Sequence, residues 1–219
     1  RQPPLRIGTE GKMGERVIID FETTGLSAMQ GDRATEVAAV VIDETGIVGR
    51  FQSLMNGGRR IPPFVQALTG ISNAMIRQAP RAEEVMRQLL DFIAGRPLVA
   101  HNAAFDHGFL GAELDRIGAD CPTGLLCSMK VARRVYPEAP NHRIETLIRH
   151  VRIEATGQYH RALADAEMTA LLWLRMEHKL QSDFDLPEVP LELMQRIQTA
   201  PCKALDKCVV SFKRRAWPA

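Results

Sequence analysis

The feature that most constrains the fold is a run of six apolar residues, 37–42, between polar residues. Such a short, continuous run is typical of a strand buried on both faces of a sheet. The turn-forming residues 43–46 follow, and residues 47–55 are predicted to return as the next strand. With a short apolar strand at residues 17–19, the chain is predicted to begin with three antiparallel strands.

Helical periodicity dominates the next part of the chain. Residues 81–94 carry a stripe of apolar side chains typical of one helix face. A short strand at 98–100 comes next, and a helix ending near residue 118 follows, with Asn102 as its expected N-cap. Further helices are predicted over residues 64–68, 72–77, 129–136, 144–151, 161–179 and 191–199. This order favours an α/β domain with a mixed β-sheet flanked by α-helices.

A chain of 219 residues is long enough for one sizeable domain. We expect a leader over residues 1–15, the α/β domain over 16–180 and an extension of unassigned role over 181–219. No run of about 18 apolar residues is present in the sequence, so no membrane span is predicted. Without an export signal, the four cysteines are expected to be reduced thiols in a cytoplasmic protein. The net charge of +2 excludes nucleic-acid binding by bulk basicity alone.

Two acidic residues end the first strand. Asp20 and Glu22 are two positions apart, which places both side chains on one face of a strand. Neighbouring carboxylates repel each other unless one is protonated or a cation lies between them. A solvated strand end is the simpler interpretation of this pair alone.

Asp106 and Asp165 lie on the inward stripes of two predicted helices. The stripe residues are Leu110, Leu114 and Ile117 in the first helix and Thr169, Leu172 and Met176 in the second. A helix N-terminus favours a carboxylate, but this does not explain why the side chain should face inward, where an unpaired charge is costly. His160 precedes Asp165 by five residues, so the two can act together only if His160 lies on the loop before the helix.

Four carboxylates directed toward one end of a sheet suit the hard cations Mg²⁺ and Mn²⁺. Two such ions are a standard arrangement for in-line phosphoryl displacement. A neutral histidine nearby can accept the proton of the attacking water, since its unperturbed pKa lies near 6.5.

Three segments, residues 19–26, 101–106 and 160–166, resemble in order the motifs of the DnaQ-like (DEDDh) 3′–5′ exonuclease family, and residues 61–71 resemble its linker. The resemblance covers roughly residues 16–178 and extends to the epsilon proofreading subunit of bacterial DNA polymerase III. It implies a ribonuclease H-like fold and two Mg²⁺ or Mn²⁺ ions. The implied metal ligands are Asp20, Glu22, Asp106 and Asp165, all four of which would be catalytic together with the general base His160.

The resemblance also implies residues that hold the substrate. Thr23, Gly25 and Leu26 would bind the 3′ end, with Gly25 allowing a close backbone approach and Leu26 offering an apolar surface to the terminal base. Asn102 and Phe105 are candidates for the pocket lining, although helix capping for Asn102 and core packing for Phe105 are the favoured explanations. His101 is interpreted as a structural histidine.

The implied function is metal-dependent hydrolysis at DNA 3′ ends, releasing nucleoside 5′-monophosphates in proofreading or repair. The expected partners are a single-stranded DNA 3′ end and a DNA polymerase subunit, with no membrane. Two alternatives stay open at this point: an RNA 3′–5′ exonuclease of the same family, and a non-catalytic module that binds nucleic-acid 3′ ends. Residues 181–219 match no motif, which leaves membership of a polymerase complex open.

Overall fold

A single five-stranded sheet forms the centre of the molecule. The computed structural model describes residues 14–122, 124–154 and 160–217, so most of the expected leader lies outside the described residues. The strands are β1 (Arg16–Thr23), β2 (Ala34–Asp43), β3 (Gly46–Leu54), β4 (Leu98–Ala100) and β5 (Leu126–Cys127), in the spatial order β3-β2-β1-β4-β5. β1, β2 and β3 pair antiparallel, whereas β4 and β5 run parallel to β1. The predicted mixed sheet is therefore confirmed.

The predicted hairpin joins β2 and β3. Every residue of β2 except its last is buried, as expected for its continuous apolar run. The turn is fixed by Asp43, whose carboxylate accepts a hydrogen bond from the Thr45 N–H at 2.7 Å. Gly46 follows with a φ of 127°, a conformation that glycine adopts readily.

Nine α-helices occur in the described residues. Their bounds are α1 (Pro63–Thr69), α2 (Asn73–Gln78), α3 (Ala82–Ile93), α4 (Ala104–Asp115), α5 (Ser128–Val135), α6 (Ile144–His150), α7 (Ala162–Phe184), α8 (Leu191–Thr199) and α9 (Leu205–Ala216). None of the helices in this part of the chain is both long enough and apolar enough to cross a lipid bilayer.

The helices cover both faces of the sheet. Alternate residues of β1 point to opposite sides, so Val17 and Ile19 join a core with α3 and α4, while Ile18 joins a core with α5 to α9. Helix α7 lies across β1, β2 and β3 on the second face. Because Asp20 and Glu22 continue the series of Ile18, they point toward the face that carries α7.

Two elements are absent from the sequence prediction, β5 and α9. A strand of two residues is too short to show a period, and only Val209 and Phe212 of α9 are fully buried, which is too few for a clear apolar stripe. The capping prediction for Asn102 is wrong, because α4 begins after Ala103 and has no side-chain cap. Asn102 instead occupies a left-handed turn with a φ of 63°.

The C-terminal helices pack against the rest of the structure. Leu193, Met194 and Ile197 of α8 are fully buried in the same apolar core as α7. The Gln198 side-chain oxygen accepts a hydrogen bond from the Cys127 N–H of the edge strand β5 at 3.0 Å. Helix α7 itself continues past the expected boundary near residue 180 to Phe184. All four cysteines are free thiols.

Candidate active site

Three carboxylates meet where β1 ends beneath α7. Asp20 and Glu22 extend from β1, and Asp165 lies in the first turn of α7. One oxygen from each of the three lies within 4.8 Å of the others. The inward direction predicted for Asp165 is confirmed, because Thr169, Leu172 and Met176 on the same stripe are buried. This spacing suits a shared cation.

Asp106 approaches the end of the same strand from α4. Its side chain is buried, with 2% of its surface exposed. Its Oδ1 accepts a hydrogen bond from the Phe21 N–H, between Asp20 and Glu22 in the sequence, at 3.2 Å. Asp106 thus faces inward as predicted and stands beside the three-carboxylate cluster.

The pKa values of all four carboxyl groups are raised. Burial raises the pKa of Glu22 to about 8, and the charges of Asp165 and Glu36 add to this effect. Burial also raises the pKa of Asp106 to about 8 and that of Asp165 to about 6. Burial and the charge of Asp106 hold the pKa of Asp20 well above its usual range. At neutral pH the metal-free cluster therefore retains protons, which a divalent cation would displace.

His160 lies on the segment that leads into α7, as its spacing from Asp165 requires. Its backbone is left-handed, with a φ of 63°, and its N–H donates to Asp165 Oδ2 at 2.9 Å. The side chain is 44% exposed, and its Nε2 lies 3.8 Å from Glu145 Oε1. The backbone of His160 therefore contacts the carboxylate cluster, while its imidazole lies near Glu145 and is open to water.

His101 is a structural histidine. Its Nε2 lies 2.9 Å from the His142 carbonyl oxygen and therefore donates, so its Nδ1 accepts from the Ser128 hydroxyl at 2.9 Å. Burial lowers the pKa of His101 to about 4, which keeps it neutral. Phe105 packs against Phe109 with ring centroids 5.0 Å apart and is half-buried in the core.

The segment after Glu22 forms a compact loop. Thr23 donates its hydroxyl to the Gly25 carbonyl oxygen at 2.6 Å. A Cβ on Gly25 would lie 2.4 Å from the Asp32 carboxylate, so Asp32 requires glycine here independently of any substrate. Leu26 is 88% exposed, which leaves its side chain free to contact a ligand.

Sequence reasoning missed two buried glutamates near the site. Glu36 lies opposite Glu22 in the β1–β2 register and contacts Arg161, the residue after His160. Glu113 lies seven residues after Asp106 on α4 and contacts Arg33. Each glutamate had a signal in the sequence. Glu36 directly precedes the apolar run of β2, and Glu113 lies two helical turns after Asp106 on the same face of α4.

The comparisons with known proteins agree with this arrangement. A protein-family model described as Exonuclease (RNase_T) matches residues 17–173. The chain belongs to this exonuclease family. The expected resemblance and the ribonuclease H-like fold are thereby confirmed. Exonucleases of this family depend on divalent metals, and the clustered carboxylates fit that dependence.

The curated relatives are much longer proteins. A DNA polymerase III PolC-type of Caldanaerobacter subterraneus subsp. tengcongensis is 36% identical over 168 residues, which are 77% of this chain and 12% of the relative. The 3′-5′ exonuclease DinG of Bacillus subtilis is 36% identical over 182 residues, which are 83% of this chain and 19% of the relative. This chain therefore spans less than a fifth of either relative.

Solved structures of other exonucleases share the fold. Exonuclease X in complex with 5′ overhanging duplex DNA is 26% identical and superimposes with a TM-score of 0.64, covering 84% of this chain and 99% of that one. The nuclease domain of 3′hExo bound to rAMP is 18% identical with a TM-score of 0.67, covering 81% of this chain and 96% of that one, and supports the fold alone.

Proposed function

We propose that this exonuclease hydrolyses the terminal phosphodiester bond at DNA 3′ ends and releases nucleoside 5′-monophosphates with two Mg²⁺ or Mn²⁺ ions. The observation that carries the proposal is the cluster of Asp20, Glu22 and Asp165, with oxygens within 4.8 Å of one another beside the buried Asp106. Such a cluster is unfavourable without cations, because burial and mutual repulsion oppose its ionisation.

Different carboxylates would bind each of the two ions. Asp20, Glu22 and Asp165 would hold one ion, and Asp20 with Asp106 would support the other. Carboxylate oxygens are the ligands that both metals prefer. When bound, the ions lower the pKa of a water molecule and neutralise charge that develops on the phosphate and the leaving oxygen.

His160 is assigned the role of general base. Its backbone is held against Asp165, and its half-exposed imidazole would take the proton of the attacking water. Water then becomes bonded to phosphorus, and the bond to the 3′ oxygen of the penultimate nucleotide breaks. The terminal nucleotide leaves with its 5′-phosphate.

The loop after Glu22 would bind the terminal nucleotide. Leu26 offers an exposed apolar surface on which a base can rest, and Thr23 and Gly25 hold the loop beside the carboxylates. Asn102 is exposed at the nearby turn before α4, whereas Phe105 is mainly a packing residue. We therefore propose that Leu26, Thr23 and Gly25 bind the terminal nucleotide and that Asn102 makes a minor contribution to its binding.

DNA is the proposed substrate because the curated relatives include PolC-type DNA polymerases and Exonuclease X was solved with DNA. Association with a DNA polymerase is proposed on the same relatives. The expected cytoplasmic location stays a prediction. An RNA substrate is the second candidate, since discrimination depends on contacts to one 2′-hydroxyl.

The test is a time course with 5′-labelled single-stranded DNA in Mg²⁺, Mn²⁺ or EDTA. We expect a ladder of one-nucleotide steps that requires metal and disappears in Asp20→Asn. The matched control is Asp91→Asn, the same substitution at an exposed position of α3. Full activity of Asp20→Asn, or cleavage of a circular strand, would contradict the mechanism.

A second set of substrates separates the candidates. DNA and RNA oligomers of the same sequence are compared at equal concentration, and faster trimming of RNA would replace the DNA proposal. Tight binding of 3′ ends without any cleavage in either metal would identify the protein as a binding module.

A further inference from the structure

Two buried glutamates near the site are held in the same way. Each accepts two N–H groups from one arginine and a third from the backbone of the residue after that arginine. We name these arrangements the Glu36 fork (Glu36, Arg161 and Ala162) and the Glu113 fork (Glu113, Arg33 and Ala34). Bidentate arginine–carboxylate contacts fix orientation as well as distance. Each fork therefore fixes the backbone on which its arginine lies.

The Glu36 fork holds the start of α7. Arg161 donates from Nε and Nη2 to Glu36 at 3.1 and 2.7 Å, and the Ala162 N–H donates at 3.1 Å. Gln52 of β3 adds a fourth donor at 2.8 Å. Glu36 is fully buried, so these contacts are shielded from water.

This fork lies directly beside the proposed chemistry. Arg161 immediately follows His160, whose N–H donates to Asp165. His160 has a left-handed backbone that a non-glycine residue adopts only when its surroundings enforce it. The Glu36 fork thus anchors Arg161 and Ala162, which lie between His160 and Asp165 in the sequence.

The Glu113 fork holds the loop after Glu22. Arg33 donates from Nε and Nη2 to Glu113, both at 2.8 Å, and the Ala34 N–H donates at 3.2 Å. The backbone of Arg33 in turn pairs with Thr24, donating to its hydroxyl at 3.0 Å and accepting from its N–H at 2.9 Å. The loop that carries the exposed Leu26 is therefore tied to α4.

We propose that the two forks divide the positioning of the reaction, an inference that rests on the proposed exonuclease function. Glu36 and Arg161 are positioning residues for the chemical step, because they hold His160 and Asp165. Glu113 and Arg33 are positioning residues for the 3′ end, because they hold the loop that presents Leu26. Neither glutamate is a metal ligand, since its oxygens are occupied by N–H donors.

The division predicts that the two forks affect different kinetic constants. Arg161→Lys keeps the charge but removes the planar fork. We expect kcat to fall about tenfold or more, with KM changed by less than about threefold, since small displacements of catalytic groups are costly. Arg33→Lys should raise KM about fivefold or more, with kcat changed by less than about threefold.

The experiment measures both constants on a 5′-labelled single-stranded oligomer at saturating Mn²⁺, with circular dichroism and melting curves to verify folding. The control is Glu192→Gln, which breaks an exposed Glu192–Arg196 pair on α8 and should leave both constants unchanged. Gln52→Met, which removes one donor from Glu36, is the milder variant and should lower kcat about two- to fivefold.

The outcomes separate the two proposals. An inactive native protein would refute the proposed function. An active native protein in which Arg161→Lys keeps its kcat while folded, or in which both lysine variants change the same constant equally, would overturn the division. If Arg161→Lys does not fold, Gln52→Met decides: a lower kcat at constant KM supports the division, and an unchanged kcat overturns it.

Discussion

Glu22 and Glu36 face each other across strands β1 and β2 and both lie near Arg161, yet their hydrogen bonding differs. Four N–H groups donate to the Glu36 carboxylate. Within the described residues, no hydrogen-bond donor reaches Glu22, and burial raises its pKa to about 8. A buried carboxylate with several donors is stabilised by the protein itself, whereas one without them is stabilised by protonation or by a cation.

The same distinction applies around the site. Glu113 is supplied with donors like Glu36, while Asp20 resembles Glu22 because burial and neighbouring carboxylates raise its pKa. Asp106 and Asp165 are intermediate, since each accepts one backbone hydrogen bond from a residue of the site. Counting donors therefore separates proposed metal ligands from structural acids in this molecule.

The largest expected effect concerns His160, whose N–H contacts Asp165 and whose ring is exposed to water. His160→Ala should lower kcat by ~10²–10⁴-fold, the usual contribution of a general base. The measurement is single-turnover cleavage of 5′-labelled DNA. His178→Ala on the exposed side of α7 is the control, and equal losses in both variants would disprove the assignment.

The two facing glutamates should respond oppositely to the same substitution. Glu36→Gln should lower the free energy of unfolding by about 1.5–3 kcal/mol, because it weakens the charge-assisted hydrogen bonds from the partly exposed Arg161. Above about pH 8, where the Glu22 carboxylate is charged, Glu22→Gln should raise the melting temperature of the metal-free protein by ~2–4 °C, because it removes a repelled charge. Thermal melting curves in EDTA measure the stability of both variants. Equal destabilisation by both substitutions would contradict the distinction between Glu22 and Glu36.

Asp32 is a carboxylate with hydrogen-bond donors in the loop after Glu22. Its carboxylate accepts hydrogen bonds from Thr24 and Ser27 and leaves no room for a Cβ on Gly25. Gly25→Ala should cost about 1–3 kcal/mol of stability, the usual penalty for overpacking, and should raise KM. Gly108→Ala, where the added Cβ meets open space, is the control, and a neutral Gly25→Ala would show that Asp32 is free to move.

A further prediction concerns the pH dependence of the metal-free fold. Glu22 and Asp106 have folded pKa values of about 8, above those of an unfolded chain, so the folded state binds more protons between about pH 4.5 and 8. Stability should therefore fall as pH rises through this window. Saturating Mg²⁺ should displace the protons, so the difference in melting temperature between Mg²⁺ and EDTA should grow with pH. Melting curves with Mg²⁺ and with EDTA from pH 5 to 8 measure this difference. A difference that stays constant over this range would contradict the prediction.

Much of the fold follows from local patterns. The apolar run of β2 and the turn at Asp43 specify the hairpin, and the stripe on α7 places Asp165 inward. Residues that depend on tertiary partners escape this reasoning. Leu126–Cys127 is a strand only because β4 lies beside it, and Asn102 cannot cap α4 because the helix begins two residues later.

The candidate site also contains residues that the sequence predicts and residues that it does not. Asp20, Glu22, Asp106, Asp165 and His160 lie in short motifs with fixed spacing, so their convergence could be anticipated. Glu36 and Glu113 contact arginines 125 and 80 positions away, and no local pattern reports such distant pairs. The role of Gly25 was only partly anticipated, because the carboxylate that excludes a side chain there comes from Asp32.

The side-chain oxygen of Gln198 accepts a hydrogen bond from the Cys127 N–H of β5, the strand at one edge of the sheet. Unpaired edges invite a strand from another chain, and native proteins cover them to prevent aggregation. A chain cut after residue 180 would lose this cover together with the buried Leu193, Met194 and Ile197. Such a fragment is expected to self-associate, so α8 sets the shortest chain that can be handled in solution.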